Sequence, residues 1–359
     1  MFEAASAPPE RVGLAFFVVD FKGPRMYPQD VTDARPAVVD TSGLTKAYGS
    51  HIALDGLDLR IEAGATGLLG ANGAGKSTLL KTLLGLVQVS SGEGKVLGLD
   101  IRTDGPSIRQ RIGYMPEYEA LDPRMDGIHQ VRYAGELLGM NPTVAMGRAH
   151  QALEYVGLGE QRYRPISSYS TGMRQATKLA CAIIHDPELI IADEPSNGLD
   201  AASRDFMLQT LDTTVRNGQR SVLMASHLMD DVEQVCERIV LLHKGRLVAQ
   251  GRIEDLKAID REYEVHVWGA ADAMATGLTD RGLHVRREGR IMRVAQERDG
   301  IPTEILEVAA ETGAQVRRLH MYEASLEDLF IAIMERLGHD VKSSEDLYAN
   351  APKGGAGPA

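Results

Sequence analysis

The sequence predicts an α/β protein organised around a largely parallel sheet, with a smaller α+β module after it. Two short runs, Glu188 to Ala192 and Ser221 to Ala225, are apolar and bounded by polar residues, the pattern of strands buried on both faces. Apolar residues elsewhere recur at helical spacing, as in Leu79, Leu80, Leu83 and Leu84, and helices alternating with such strands imply parallel pairing. After Gly251 the pattern changes to short alternating strands separated by short helices. A length of 359 residues suits two domains of roughly 100–200 residues each.

Taken in order, residues 1–36 form a largely irregular extension. Pro8, Pro9, Pro24, Pro28 and Pro36 interrupt any period, and only Gly13 to Phe21 has strand character. A first domain spans 37–255. In it Leu57, Leu59 and Ile61 alternate with Asp58, Arg60 and Glu62, which predicts a half-buried strand. Gly67-Leu68-Leu69-Gly70 leads into a glycine-rich turn, and from about Asp122 to Asp186 the pattern is mostly helical.

A second domain is expected over 256–339. Tyr263, Val265 and Val267 alternate with Glu264 and His266, giving a strand. A helix over Ala270 to Thr279 follows, then a strand near Leu283 to Arg286, a turn at Glu288-Gly289 and a strand over Arg290 to Ala295. Pro302 opens a helix that ends by Gly313, and Val316 to His320 makes a last strand. The order β-α-β-β-α-β is that of a ferredoxin-like module. Ser325-Leu-Glu-Asp328 reads as a capping box with Asp in place of Glu. Leu326, Leu329, Phe330, Ile333, Met334 and Leu337 then trace one helix face, with Gly338 at the expected C-cap. The tail, 340–359, ends in Ala-Pro-Lys-Gly-Gly-Ala-Gly-Pro-Ala and is expected to be disordered.

Composition excludes several classes. With 50 acidic and 39 basic side chains the net charge is −11, against a general nucleic-acid binder, which needs Lys and Arg for phosphates. The best N-terminal membrane candidate, Val12 to Val19, is far shorter than the ~20 residues a span requires and stops at Asp20. It also lacks the flanks of a secretory signal. Cys181 and Cys236 have no metal-ligand spacing and make no disulfide framework, so they are expected as buried thiols in a cytoplasmic protein.

The chemistry is concentrated after the first buried strand. Gly70-Ala71-Asn72-Gly73-Ala74-Gly75-Lys76-Ser77 fits G-x-x-x-x-G-K-[ST] between a strand and a helix. The glycines let successive N–H groups turn inward onto phosphate oxygens, and the helix adds its positive end. Lys76 reaches the β- and γ-phosphates, and the Ser77 hydroxyl is placed to ligate Mg²⁺. With Thr78 these residues make up the expected nucleotide cradle. Such a loop needs an acid at the end of another strand, and Leu189-Ile-Ile-Ala-Asp193-Glu194 supplies two. Asp193 is expected to hold Mg²⁺, directly or from the outer coordination sphere. Glu194 is expected beside the γ-phosphate, where a carboxylate orients and deprotonates the attacking water. Either acid alone is most often a solvated strand-end charge.

With these motifs in place, the chain from about Val38 to Gly251 resembles the ATP-binding subunit of an ABC transporter. Tyr169-Ser170-Thr171-Gly172-Met-Arg-Gln175 is similar to the motif that separates this family from other phosphate-loop ATPases. The resemblance implies a P-loop NTPase of ABC type, with a RecA-like core, an antiparallel β subdomain and a helical subdomain. It implies that Tyr48 stacks on adenine and that Ser196-Asn-Gly-Leu-Asp200 is the loop that touches a partner subunit. His227 would be the switch histidine at the γ-phosphate. It further implies a second ATP-binding subunit, with each ATP between the phosphate loop of one copy and the Ser170/Gly172 helix end of the other.

Two departures refine the match. Glu117, in Ile112-Gly-Tyr-Met-Pro-Glu117, stands where most members have Gln; it can ligate Mg²⁺ but, when ionised, only accepts hydrogen bonds. Thr171 replaces a glycine. Both resemble ABC-2 type exporter subunits, which implies a membrane permease in a separate chain and a location on the inner face of the cell membrane. Two alternatives, an ABC ATPase acting on ribosomes or DNA and a non-catalytic ATP-binding regulator, fit less well. The first is disfavoured by the charge and the single ATP site, the second by Lys76, Asp193, Glu194 and His227 all being present.

Overall fold

The computed structural model describes residues 35–118, 120–218, 220–257, 262–295, 300–322 and 324–336. The strand expected at Gly13 to Phe21, the positions Leu337 and Gly338, and the tail lie outside the described residues.

The chain opens with β1 (Ala37–Tyr48), β2 (His51–Glu62), β3 (Ala65–Leu69), α1 (Lys76–Leu83), β4 (Ser91–Val96) and β5 (Leu99–Asp100). Then come α2 (Gly105–Arg111), β6 (Ile112–Met115), α3 (Gly127–Leu137), α4 (Pro142–Tyr155), α5 (Thr171–Ile183) and β7 (Leu189–Asp193). The chain continues through α6 (Ala201–Gly218), β8 (Ser221–Ala225), α7 (Met229–Val235), β9 (Arg238–His243), β10 (Arg246–Arg252) and α8 (Ile253–Lys257). The last elements are β11 (Glu262–Trp268), α9 (Ala271–Asp280), β12 (Val285–Glu288), β13 (Ile291–Ala295), α10 (Ile301–Thr312), β14 (Gln315–Tyr322) and α11 (Leu326–Arg336).

The central sheet runs β10-β9-β3-β8-β7-β6, parallel throughout except for β10. Every residue of β3, β7 and β8 is buried. Period-2 alternation explains why these strands read as apolar runs. Leu189 and Ile191 point into one apolar cluster with Leu223, Leu68 and Leu79, while Ile190 and Ala192 point into another with Met224 and Val232. An antiparallel sheet, β2-β1-β4-β5, covers the first cluster. The helices α3, α4 and α5 form the helical part, and side-chain caps start them: Asp126, Asn141 and Ser170 accept from the N–H groups of His129, Thr143 and Met173. The expected α/β architecture with its β and helical subdomains is therefore present.

The C-terminal sheet is antiparallel in the order β12-β13-β11-β14, as a ferredoxin-like β-α-β-β-α-β module requires. Val265, Val267, Met292 and Val294 pack against Met274, Leu278, Ile305 and Val308 of α9 and α10. The third segment differs from the expectation: Leu283 sits in this core and the strand begins only at Val285. The capping box closes in both directions, with Ser325 N–H donating to Asp328 at 2.9 Å and Asp328 N–H to the Ser325 hydroxyl at 3.1 Å. The apolar face of α11 does not close the module. Leu326, Phe330, Ile333 and Met334 join the cluster that holds Val232, Val235 and Ile253.

Cys236 is buried as expected, whereas Cys181 on α5 is only half-buried as a residue. Burial pushes the Cys181 thiol up to about 12 and the Cys236 thiol up as well, so neither is a reactive thiolate.

Candidate active site

Parallel pairing puts four connections at one edge of the central sheet, the edge formed by the strands' carboxyl ends, where ligands of open α/β sheets bind. Adjacent in space are the Gly70 loop after β3, the Ser226-His227 segment after β8, Asp193 and Glu194 ending β7, and Glu117 two residues beyond β6. The sheet order therefore brings together groups separated by up to 157 residues in the chain (227 − 70).

The loop demands its glycines. Gly70, Gly73 and Gly75 have φ of 152°, 78° and 103°. A Cβ on Gly70 would lie 2.4 Å from the Leu242 carbonyl oxygen, and one on Gly75 would lie 2.6 Å from that of Ala53. Asn72 and Gly73 are exposed, Ala71 and Thr78 are half-buried, Ala74 is buried, and Ser77 is exposed at the start of α1. Lys76 folds back under the loop, 8% exposed, with its ammonium donating to the Gly70 carbonyl. Burial draws its pKa below the ordinary 10.5, while Glu194, Asp193 and Glu117 pull the other way.

The Asp193 carboxyl is pushed up to about 6, first by burial and then by Glu117 and Glu194, with Lys76 and Lys81 opposing. The acids that follow β6 and β7 and the Ser77 hydroxyl at the start of α1, which follows β3, offer at one sheet edge the oxygen donors a divalent cation takes. No group of three or more His, Cys, Asp or Glu side chains is poised as a metal cage among the described residues.

Glu194 adopts a left-handed backbone conformation, φ 52°, with its N–H donating to the Ala225 carbonyl at 2.8 Å. Its carboxylate lies 2.7 Å from His227 Nδ1, and this hydrogen bond raises the histidine's pKa against the opposing effect of burial. The predicted acid and the predicted switch histidine are thus one pair. Tyr48 ends β1, 47% exposed, with the Lys46 ammonium 4.7 Å above its ring centre.

Ser170, Gly172 and Asp200 gather in a second patch where α5 and α6 begin. Ser170 caps α5, Asp200 accepts from the Ser203 N–H at 3.0 Å and hydroxyl at 3.1 Å, and a Cβ on Gly172 would meet that same hydroxyl at 2.9 Å. Ser170 and Asp200 are exposed.

Sequence reasoning missed Asp231 and Arg204. Asp231, fully buried on α7, is hydrogen-bonded by the Ser196 hydroxyl and ion-paired with Arg204 of α6. This cluster joins the segment after Glu194 to the helix after His227. Asp230 and Asp231 are the acids of the first turn of α7, and the signal available in the sequence is that Asp231 adjoins the apolar position Val232, with Val235 one turn on.

A family profile described as ABC transporter matches residues 54–197. The chain is 31% identical over 319 residues to a daunorubicin/doxorubicin resistance ATP-binding protein, DrrA, of Streptomyces peucetius, covering 86% of this chain and 95% of that one. It is 32% identical over 305 residues to a Nod factor export ATP-binding protein I of Cupriavidus metallidurans, covering 84% and 98%. Among solved structures, a dimeric ATP-binding cassette in a post-hydrolysis state with ADP and phosphate superimposes with a TM-score of 0.56 at 23% identity, over 60% of this chain and 98% of that one.

Proposed function

The chain belongs to the family of ABC transporter ATP-binding subunits, and on that premise we propose that it closes as a dimer on two ATP molecules to drive export through a separate ABC-2 type membrane permease. ATP is its substrate and it is an ATPase of that family. The observation that carries the dimer reading is the division of functional residues between two places. The phosphate loop, Asp193, Glu194 and His227 share the sheet edge, while Ser170, Gly172 and Asp200 form an outward-facing patch where α5 and α6 begin. A second copy brings its patch onto the ATP held by the first, and Tyr48 offers the adenine an exposed ring.

Each step follows from this chain's side chains. Loop N–H groups and Lys76 grip the phosphates. Ser77, Asp193 and Glu117 would hold Mg²⁺, which supplies neutralisation of phosphate charge. Glu194 orients the attacking water and accepts its proton. While His227 holds the Glu194 carboxylate, that oxygen is occupied; when the imidazole turns to the γ-phosphate, the carboxylate is released. Hydrolysis is then tied to closure, since phosphoryl transfer depends on positioning and electrostatics.

No helix among the described residues is long and apolar enough to cross a membrane, and in this reading the span belongs to a separate chain. The names of the two relatives, one for drug resistance and one for export, support the outward direction. The test is affinity capture of the tagged chain from native membranes. Co-purification of a polytopic membrane protein is expected; recovery of ribosomes or DNA instead would overturn the permease reading.

A further inference from the structure

Lys178 lies in the middle of α5, eight residues after Ser170, or about 12 Å along the axis at ~1.5 Å per residue. It is 8% exposed, and its ammonium donates to the backbone carbonyls of Pro116 at 3.1 Å and Glu117 at 2.8 Å. A buried ammonium is costly unless acceptors meet its protons. Here the loop that carries Glu117 provides two of them. Below this point α5 rests directly on β6: a Cβ on Gly113 would come within 2.2 Å of the Ala182 carbonyl oxygen. A shift of the helix relative to the Glu117 loop would therefore cost the buried ammonium these two acceptors.

We propose that Lys178 is a positioning residue that makes α5 a stiff link between the two nucleotide sites of the dimer. The N-terminal end of α5, with Ser170 and Gly172, faces the ATP held by the partner copy. The middle of the same helix, through Lys178, sets the path of the loop that places Glu117 at the ATP held by its own chain. Glu117 follows β6 and Asp193 ends β7, strands paired side by side with Met115 opposite Ala192, so a displaced loop alters the acidic group as a whole. Occupancy of one site is thereby transmitted to the acids of the other. This rests on the dimer reading above.

The experiment compares wild type with Lys178→Met, Lys178→Gln and Lys178→Arg in the full chain. ATPase rate is followed against Mg²⁺ and against ATP, and ATP binding is titrated separately in EDTA. Lys178→Met keeps the apolar stem and should bind ATP in EDTA as wild type does. Its Mg²⁺ requirement should rise about tenfold, the size of effect seen when a ligand's supporting contact is lost. Its Hill coefficient for ATP should fall towards that of independent sites. Lys178→Arg, which keeps charge and donors, should restore both.

An unchanged Mg²⁺ requirement and Hill coefficient in Lys178→Met overturns the proposal. So does an equal loss of ATP binding in EDTA for Met and Arg, which marks simple packing. If Lys178→Met does not fold, the contrast of Gln with Arg decides in its place. Failure of the dimer reading is separately visible as absence of ATP-driven association in Glu194→Gln with Lys178 intact. The Mg²⁺ requirement then still decides whether Lys178 places Glu117.

Discussion

Glu194 holds a left-handed backbone conformation that costs a non-glycine residue about 1–3 kcal/mol, and its N–H bond to Ala225 and side-chain bond to His227 hold it there. Its carboxylate is the proposed water-activating group, so Glu194→Gln should bind ATP normally and lose turnover by about 10²-fold or more, measured as phosphate release. Lys76→Ala removes the charged donor from beneath the loop and should weaken ATP binding roughly 10- to 100-fold, read by titration; wild-type affinity would sink the cradle assignment. Asp231→Ala strips a fully buried carboxylate from Arg204 and Ser196 and should cost about 3 kcal/mol in urea unfolding. At this scale the motif residues were legible because their chemistry is local: a phosphate loop needs glycines and a lysine at fixed spacing. Asp231 and Lys178 were not, because each is defined by a partner on another element.

Among the elements, β7 and β8 could be read directly, since a strand buried on both faces leaves an unbroken apolar run. The capping box before α11 was equally local. Its Asp328 feels burial, which raises the pKa, but hydrogen bonds from Ser325 and Tyr322 outweigh it and hold the carboxyl below its ordinary 3.8. A depressed folded-state pKa contributes stability above the unfolded value and loses it as pH falls through the folded one. The stability gap between wild type and Asp328→Asn should therefore be constant from pH 7 to about 5 and close as pH drops below about 4. Thermal melts across that range check it; a gap that widens in acid contradicts the assignment. What α11 packs against was not legible, because an amphipathic face states that it will be buried and not by what.

For the whole molecule, the split between the sheet-edge groups and the Ser170/Gly172/Asp200 patch predicts nucleotide-dependent association. Glu194→Gln with ATP should elute from a sizing column as a dimer, and without nucleotide as a monomer; a monomer in both conditions would contradict the shared site. Tertiary structure also ties α11 to elements far earlier in the chain, since it delivers Leu326, Phe330 and Met334 into the cluster that holds Val232 and Val235 of α7. Removing that contact, for example by Phe330→Ala, should destabilise the chain by about 3–5 kcal/mol and leave the phosphate loop's sequence untouched.

The sequence by itself determined the phosphate loop, the acids after β7, the buried strands and the order of the C-terminal elements. Each depends on residue type and spacing within one short stretch, where geometry follows from the local backbone. Only the tertiary structure decided that Glu194 and His227 form a pair, that Asp231 is sealed against Arg204, that Lys178 holds the Glu117 loop, and that α11 packs against α7. Those contacts join segments far apart in the chain. Their energies come from burial and pairing, which depend on what surrounds a residue rather than on what precedes it.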